Sequence, residues 1–137
     1  MSELTDYIRD FNLAVLLVED DEITKKIETY TLQELGCKVD AVPTATAAKT
    51  ALSKVYDLIV LDVGLPDQNG VKLAEEIRSG RTKQKFSTPI VVVSARAEET
   101  DRQRYAMAGI DDVFAKPMNP EIIKKLLLSI IDKKDIH

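Results

Sequence analysis

The chain has 137 residues, 45% of them hydrophobic and 31% charged, with five glycines, five prolines, no tryptophan and a formal charge of -4. That is the length of one domain able to bury a core without covalent staples, and a single cysteine, Cys37, with a single histidine, His137, argues against internal disulfides, multi-cysteine metal sites and Ser-His-Asp or Cys-His chemistry. The acidic balance offers no polyanion-binding surface and the longest uninterrupted apolar run is residues 13–18, so the expectation is a cytoplasmic protein with no direct contact to nucleic acid or membrane.

Leu4, Ile8 and Phe11 are spaced for a small apolar stripe, and the opening segment reads as a short helix packed on the domain. Residues 13–18 (LAVLLV) form the first β-rich run. Asp21 suits the cap of a helix reaching Leu35, in which Ile23, Ile27, Tyr30 and Leu35 fall near one face and Gly36 supplies a left-handed terminator. Residues 38–42 (KVDAV) alternate more and suit an edge strand, and residues 44–54 are alanine-rich and helical in propensity. A second continuous apolar run covers residues 57–61, followed by a helix over 70–78 with Val71, Leu73, Ala74 and Ile77 as its stripe. Residues 79–88 read as a polar, basic, solvated loop. Beyond it come a strand over 90–93, a helix over 98–108 ended by Gly109, and a weaker strand over 112–115. Asn119 caps a last helix with Pro120 in first position and Ile122, Ile123, Leu126, Leu127 and Ile130 as its buried stripe.

Strands that lack a polar face require cover above and below, which points to a parallel sheet. Five βα units in strict order imply right-handed crossovers and a doubly wound, open, parallel five-stranded α/β sheet with helices on both faces, since a barrel needs about eight units.

In such a sheet ligands bind beyond the carboxyl ends of the strands. The first strand delivers Glu19, Asp20 and Asp21 there, the third Asp62, the fourth Ser94, and the fifth Lys116 followed by Pro117. With neighbouring strands about 4.8 Å apart, the carboxylates of Glu19, Asp20 and Asp62 converge, and their repulsion calls for raised pKa values, a cation, or both. Oxygen ligands without histidine or thiolate select a hard ion, here Mg2+ retaining several waters. With the Lys116 ammonium and the Ser94 hydroxyl nearby, the site suits a dianionic phosphoryl group held on one carboxylate. Taken singly these residues have plainer explanations: Asp21 caps a helix, and Ser94 and Lys116 are unremarkable surface types. Their coincidence at four strand ends, with the tract DVGLPDQNG at 62–70 and the Lys116-Pro117 pair, is what carries the signal.

The tracts LVEDD, IVLDVGLPDQNG, VVVSARA and VFAKP resemble, in order and spacing, the response regulator receiver domain of two-component signalling, over about residues 12–131. The resemblance implies the flavodoxin-like strand order 2-1-3-4-5 and a single receiver domain over residues 1–137 with a short N-terminal helical extension. It implies that Asp62 accepts a phosphoryl group from a partner's phosphohistidine, and that Glu19, Asp20 and Asp62 hold Mg2+ together with the backbone carbonyl of Gly64. Lys116 then pairs with Asp62 and later with the phosphoryl oxygens, Ser94 donates its hydroxyl to them, and Ala95 is small enough to leave room. The Lys116-Pro117 bond admits a cis form at a cost of only about 0.5–1 kcal/mol.

Val113 stands where receivers that signal by aromatic coupling carry Tyr or Phe, and the adjacent Phe114 is expected on the opposite face of its strand. The wording GIDDVFAKP resembles the receivers of hybrid sensor kinases, which relay phosphate to a histidine phosphotransfer protein. In this family Gly64 and Arg96 flank the hydrolytic water, and the absence of a side chain at one with a guanidinium at the other implies a phosphoaspartate of intermediate to long lifetime. The implied partners are a histidine kinase or a histidine phosphotransfer protein, with residues 98–108, 112–115 and 121–132 as the interface for either a homodimer or a target. The implied role is a signalling module that catalyses its own phosphorylation and dephosphorylation at Asp62. Two readings compete: a phosphate-independent receiver-like binding scaffold, and a Mg2+-dependent aspartyl phosphatase of the haloacid dehalogenase type. The latter needs a second aspartate where Gly64 stands. No G-x-G-x-x-G follows the first strand, which disfavours a dinucleotide enzyme.

Overall fold

A strand whose side chains are all apolar has to be covered on both faces, and the three central strands of this protein are built that way. The structure, a computed structural model, describes residues 3–80, 82, 84, 87–95, 99–116 and 118–136, with the backbone alone at 99–101 and 134–136. In chain order its elements are α1 (Glu3–Phe11), β1 (Ala14–Val18), α2 (Glu22–Glu34), β2 (Lys38–Val42), α3 (Ala45–Ala51), β3 (Leu58–Asp62), α4 (Gly70–Arg78), β4 (Ile90–Ser94), α5 (Glu99–Met107), β5 (Asp112–Ala115) and α6 (Pro120–Ile136). The strands pair in parallel in the order β2-β1-β3-β4-β5, as expected of a doubly wound sheet. β1, β3 and β4 are buried almost throughout, whereas β2 and β5 are partly exposed edges.

Alternate strand residues feed two cores. Leu16, Val18, Ile59, Leu61 and Val92 pack with Ala48, Ala74, Ile77 and Tyr105 on the face covered by α3, α4 and α5. Val15, Leu17, Val60 and Val93 pack with Ile8, Leu32, Ile123 and Leu127 under α1, α2 and α6. Val113 belongs to the first core and Phe114 packs against the second, so the ring of Phe114 lies on the opposite side of the sheet from Val113. Asp21, Thr44 and Asn69 cap α2, α3 and α4 by accepting backbone amides of the first turn, and the Asn119 side chain accepts the Ile122 amide at 2.9 Å. Gly36, at φ 89°, ends α2, and a Cβ there would lie 2.5 Å from Arg9 Cγ, so glycine is what lets α1 pack over the end of α2. No described helix is long and apolar enough to cross a membrane.

Several local expectations shift. α3 stops at Ala51, capped by Leu52, short of residue 54. Leu4 is exposed and only Ile8 of the α1 stripe is fully buried. Ile122 and Leu126 are half-buried flanks of an inner α6 stripe made by Ile123, Leu127, Ile130 and Ile131. Within the 79–88 stretch Gln84 is half-buried and tied to the turn before β3, accepting the Tyr56 amide at 2.9 Å and donating to Leu52 O at 3.2 Å. The largest difference is in α2, where Ile23, Ile27 and Tyr30 are 70%, 56% and 65% exposed. The inward face is set by Leu32 and Leu35, which share their helical phase with Glu28, and a carboxylate at an inward position hides that face from an apolar pattern search.

Glu28 is 1% exposed and neither carboxyl oxygen has a hydrogen-bond partner among the described residues. Burial pushes its carboxyl from 4.5 up to about 7. The folded state therefore keeps a proton that the unfolded chain releases, so this group's contribution to stability falls as pH rises from the unfolded value through the folded one. In urea unfolding, Glu28→Gln should be more stable than wild type by roughly 1–3 kcal/mol at pH 8, with the margin shrinking toward pH 5. A margin independent of pH contradicts the assignment.

Candidate functional site

Parallel strands bring their carboxyl ends to one rim, and the register decides which side chains meet there. Val18 pairs with Leu61, which sets Glu19 beside Asp62; Asp62 pairs with Val93, and Ser94 with Ala115, which sets Lys116 next in line. Glu19 and Asp62 are buried and Asp20 is exposed, and each of the three offers a carboxylate oxygen within 4.8 Å of the others. Lys116 Nζ lies 2.9 Å from Glu19 Oε1 and 3.0 Å from Asp62 Oδ1, and donates to Glu19 Oε2 at 3.2 Å. The Lys116 amide donates to the Ser94 carbonyl at 2.9 Å, joining the last two strand ends. Gly64 is exposed, with its amide donating to Asp62 Oδ1 at 3.1 Å. The Asp21 carboxylate is not part of this group and caps α2 through the Thr24 amide at 2.9 Å, while the Asp21 amide donates to Glu19 Oε2 at 3.4 Å. Ser94 closes β4, half-buried at the same rim. Arg96, Pro117 and therefore the Lys116-Pro117 bond lie outside the described residues.

The loop that leaves Asp62 is turned back sharply. The Gly70 amide donates to the Val63 carbonyl at 3.0 Å, and a Cβ on Gly70 would sit 2.4 Å from the Asp62 carbonyl oxygen. Only glycine permits that approach, so Gly70 helps fix where the Asp62 backbone stands. Asp67, in the same loop, was not legible in the sequence as a contributor: it matches no capping pattern for its own segment and acts on a helix earlier in the chain.

Among the described residues one ammonium is set against three carboxylates, and the equilibria of Glu19, Asp62 and Lys116 reflect it. Burial, reinforced by the hydrogen bond shared with Asp62, pushes Glu19 up to about 7 despite the opposing pull of Lys116. Burial also works to raise Asp62, but its hydrogen bonds with Glu19, Asp20, Lys116 and the Gly64 amide hold it below the usual carboxylate range. Lys116 is held above its ordinary value because its two carboxylate partners outweigh desolvation. Asp62 is thus the carboxylate kept ionised, and Glu19 shares a proton when no further positive charge is supplied. Convergent oxygen donors, one of them open to solvent, with no histidine or thiolate among them, fit a hard divalent ion that keeps part of its water shell.

A family model for the response regulator receiver domain matches residues 15–128. The chain is 34% identical over 124 residues to the aerobic respiration control sensor protein ArcB of Escherichia coli, covering 90% of this chain and 16% of that protein. It is 38% identical over 118 residues to the two-component response regulator PhoP of Pseudomonas aeruginosa, covering 85% of this chain and 51% of that protein. The chain therefore spans about a sixth of the first relative and half of the second. Among solved structures, the receiver domain of a Pseudomonas aeruginosa sensor histidine kinase, with a magnesium ion coordinated in its active-site cleft, is similar with a TM-score of 0.77 at 30% identity, covering 88% of this chain and 98% of that one.

Removing the ammonium leaves buried carboxylates without their counter-charge. Lys116→Met should lower stability by roughly 2–4 kcal/mol at pH 8 in chelator, and Mg2+ should recover part of that loss. Thermal unfolding with and without Mg2+ measures both, and an unchanged stability in chelator contradicts the electrostatic balance described here.

Proposed function

The chain belongs to the response regulator receiver domain family of two-component signalling, and from that premise we propose that it works as the phosphoacceptor of a phosphorelay, taking a phosphoryl group from a partner's phosphohistidine onto Asp62. The observation that most supports this is the ionised Asp62 carboxylate, 3.0 Å from a fixed ammonium and grouped with Glu19 and Asp20 at the sheet rim. An Asp62 oxygen attacks the phosphorus in line, the phosphorus–nitrogen bond to the partner's imidazole breaks, and an acyl phosphate forms. Lys116 passes from Asp62 to the new phosphoryl oxygens, and the Ser94 hydroxyl donates to another of them. Glu19, Asp20, Asp62 and the Gly64 carbonyl are the proposed Mg2+ holders; when bound, the ion neutralises charge on the phosphoryl oxygens. That a related receiver holds magnesium in its cleft favours this donor set.

The proposed unit is a receiver core over about residues 12–131 with α1 as an added helix, acting in the cytoplasm as a signalling module that catalyses its own phosphorylation and dephosphorylation. The proposed donor or acceptor is a histidine kinase or histidine phosphotransfer protein. Such a partner has to cover the rim to deliver its imidazole, and the exposed Ile23, Ile27 and Tyr30 of α2, the helix that begins just after Asp21, offer it apolar contact. The surface of α5, β5 and α6, which flanks Ser94 and Lys116, is the proposed face for a homodimer or target. A dehalogenase-type phosphatase lacks its second aspartate, because Gly64 stands there.

Incubation with acetyl phosphate and Mg2+ should add one phosphoryl group to the intact mass. The adduct should vanish in Asp62→Asn and in chelator, and form roughly tenfold more slowly or worse in Ser94→Ala. An adduct of equal yield in Asp62→Asn contradicts the assignment, and binding of a partner without any adduct favours the scaffold alternative.

A further inference from the structure

The loop between Asp62 and α4 is fastened at its far end to a helix that precedes it in the chain. The Asp67 carboxylate accepts the Ala45 amide at 2.9 Å, the Thr46 amide at 2.9 Å and the Thr46 hydroxyl at 2.7 Å. These amides belong to the first turn of α3, where a helix has no internal acceptors for its donors. The helix's own cap, Thr44, accepts the Ala47 amide at 3.0 Å, so Asp67 supplies the acceptors that Thr44 cannot reach. Beside this contact Lys49 of α3 donates to Gln68 Oε1 at 2.8 Å and lies 3.1 Å from Glu76 Oε2 of α4. The Thr46 hydroxyl, followed by the two amides, holds the Asp67 carboxyl down to about 2, so the fastening is ionised across the neutral range. At the loop's other end stands Gly64, bonded through its amide to Asp62 Oδ1, and the loop is closed on itself by the Gly70 amide on Val63.

We propose that Asp67 is a positioning residue: by clamping the 63–69 loop to the N-terminus of α3 it sets the Gly64 backbone against Asp62, raises the affinity of the site for Mg2+, and makes α3 respond to occupancy of the site. The proposal rests on the phosphoacceptor reading of the rim. Coupling of this kind is reciprocal: if the clamp favours the bound ion, the bound ion tightens the clamp. A helix turn held by a charged acceptor from another segment is therefore the place where site occupancy should be felt.

The test is titration with Mg2+ alone, by calorimetry and by amide NMR, of wild type, Asp67→Asn and Thr46→Ala. Thr46→Ala removes one donor while leaving a good helix former and the Thr44 cap in place. Asp67→Asn should bind Mg2+ about three- to tenfold more weakly, by the same factor at pH 6.5 and pH 8, and Thr46→Ala should add little further loss once Asp67 is replaced. The Ala45 and Thr46 amide signals should move with Mg2+ in wild type and stay still in Asp67→Asn. Tyr56→Phe, which deletes the 2.7 Å hydrogen bond to Asp40 near the other end of β3, should leave Mg2+ affinity unchanged whatever it costs in stability. Wild-type affinity in a folded Asp67→Asn, or Ala45 and Thr46 amides that ignore Mg2+ in wild type, overturns the clamp while leaving the phosphoacceptor reading standing. A wild-type protein that binds no Mg2+ overturns both.

Discussion

Among the described residues a single ammonium, Lys116, stands against Glu19 and Asp62 at the end of a buried sheet, with Asp20 close by. Two unit charges 4 Å apart interact by about 4 kcal/mol at an effective dielectric of 20, so two buried carboxylates beside one cation do not ionise with equal ease. The protein resolves this unequally: Glu19 keeps a proton up to about 7 and Asp62 does not. The convergent carboxylate oxygens that remain fit a hard divalent ion.

Everything else in the fold serves that arrangement. Because β1, β3 and β4 carry apolar residues on both faces, their polar residues are confined to the ends, and parallel pairing puts those ends together. The loop after β3 is short and doubly held, by glycine at the α4 entrance and by Asp67 at the α3 entrance. On the far side, Ser94 and Lys116 are joined by a backbone hydrogen bond. Val113 is buried and carries no ring, and Phe114 packs on the opposite core.

The fold was legible because its signals are local or periodic. Continuous Val, Ile and Leu runs mark the central strands, the alternation in residues 38–42 marks an edge, and Asp21 and Asn119 mark helix starts with acceptors at a fixed offset. The site was legible for a topological reason: polar residues that look ordinary one at a time become a cluster once the strands are known to be parallel neighbours. Two features escaped. The inner face of α2 includes Glu28, and a buried carboxyl contradicts the apolar pattern by which faces are recognised. Asp67 acts on the backbone amides of Ala45 and Thr46, and a backbone donor has no side-chain signature to pair with a distant aspartate.

The charge balance at the rim is open to direct measurement by a carboxyl-resolved NMR titration of Glu19, with and without saturating Mg2+. A midpoint of about 7 is expected in metal-free protein, falling below the ordinary glutamate value of 4.5 when Mg2+ is bound. A metal-free midpoint at the ordinary value, or one that Mg2+ does not move, would contradict it.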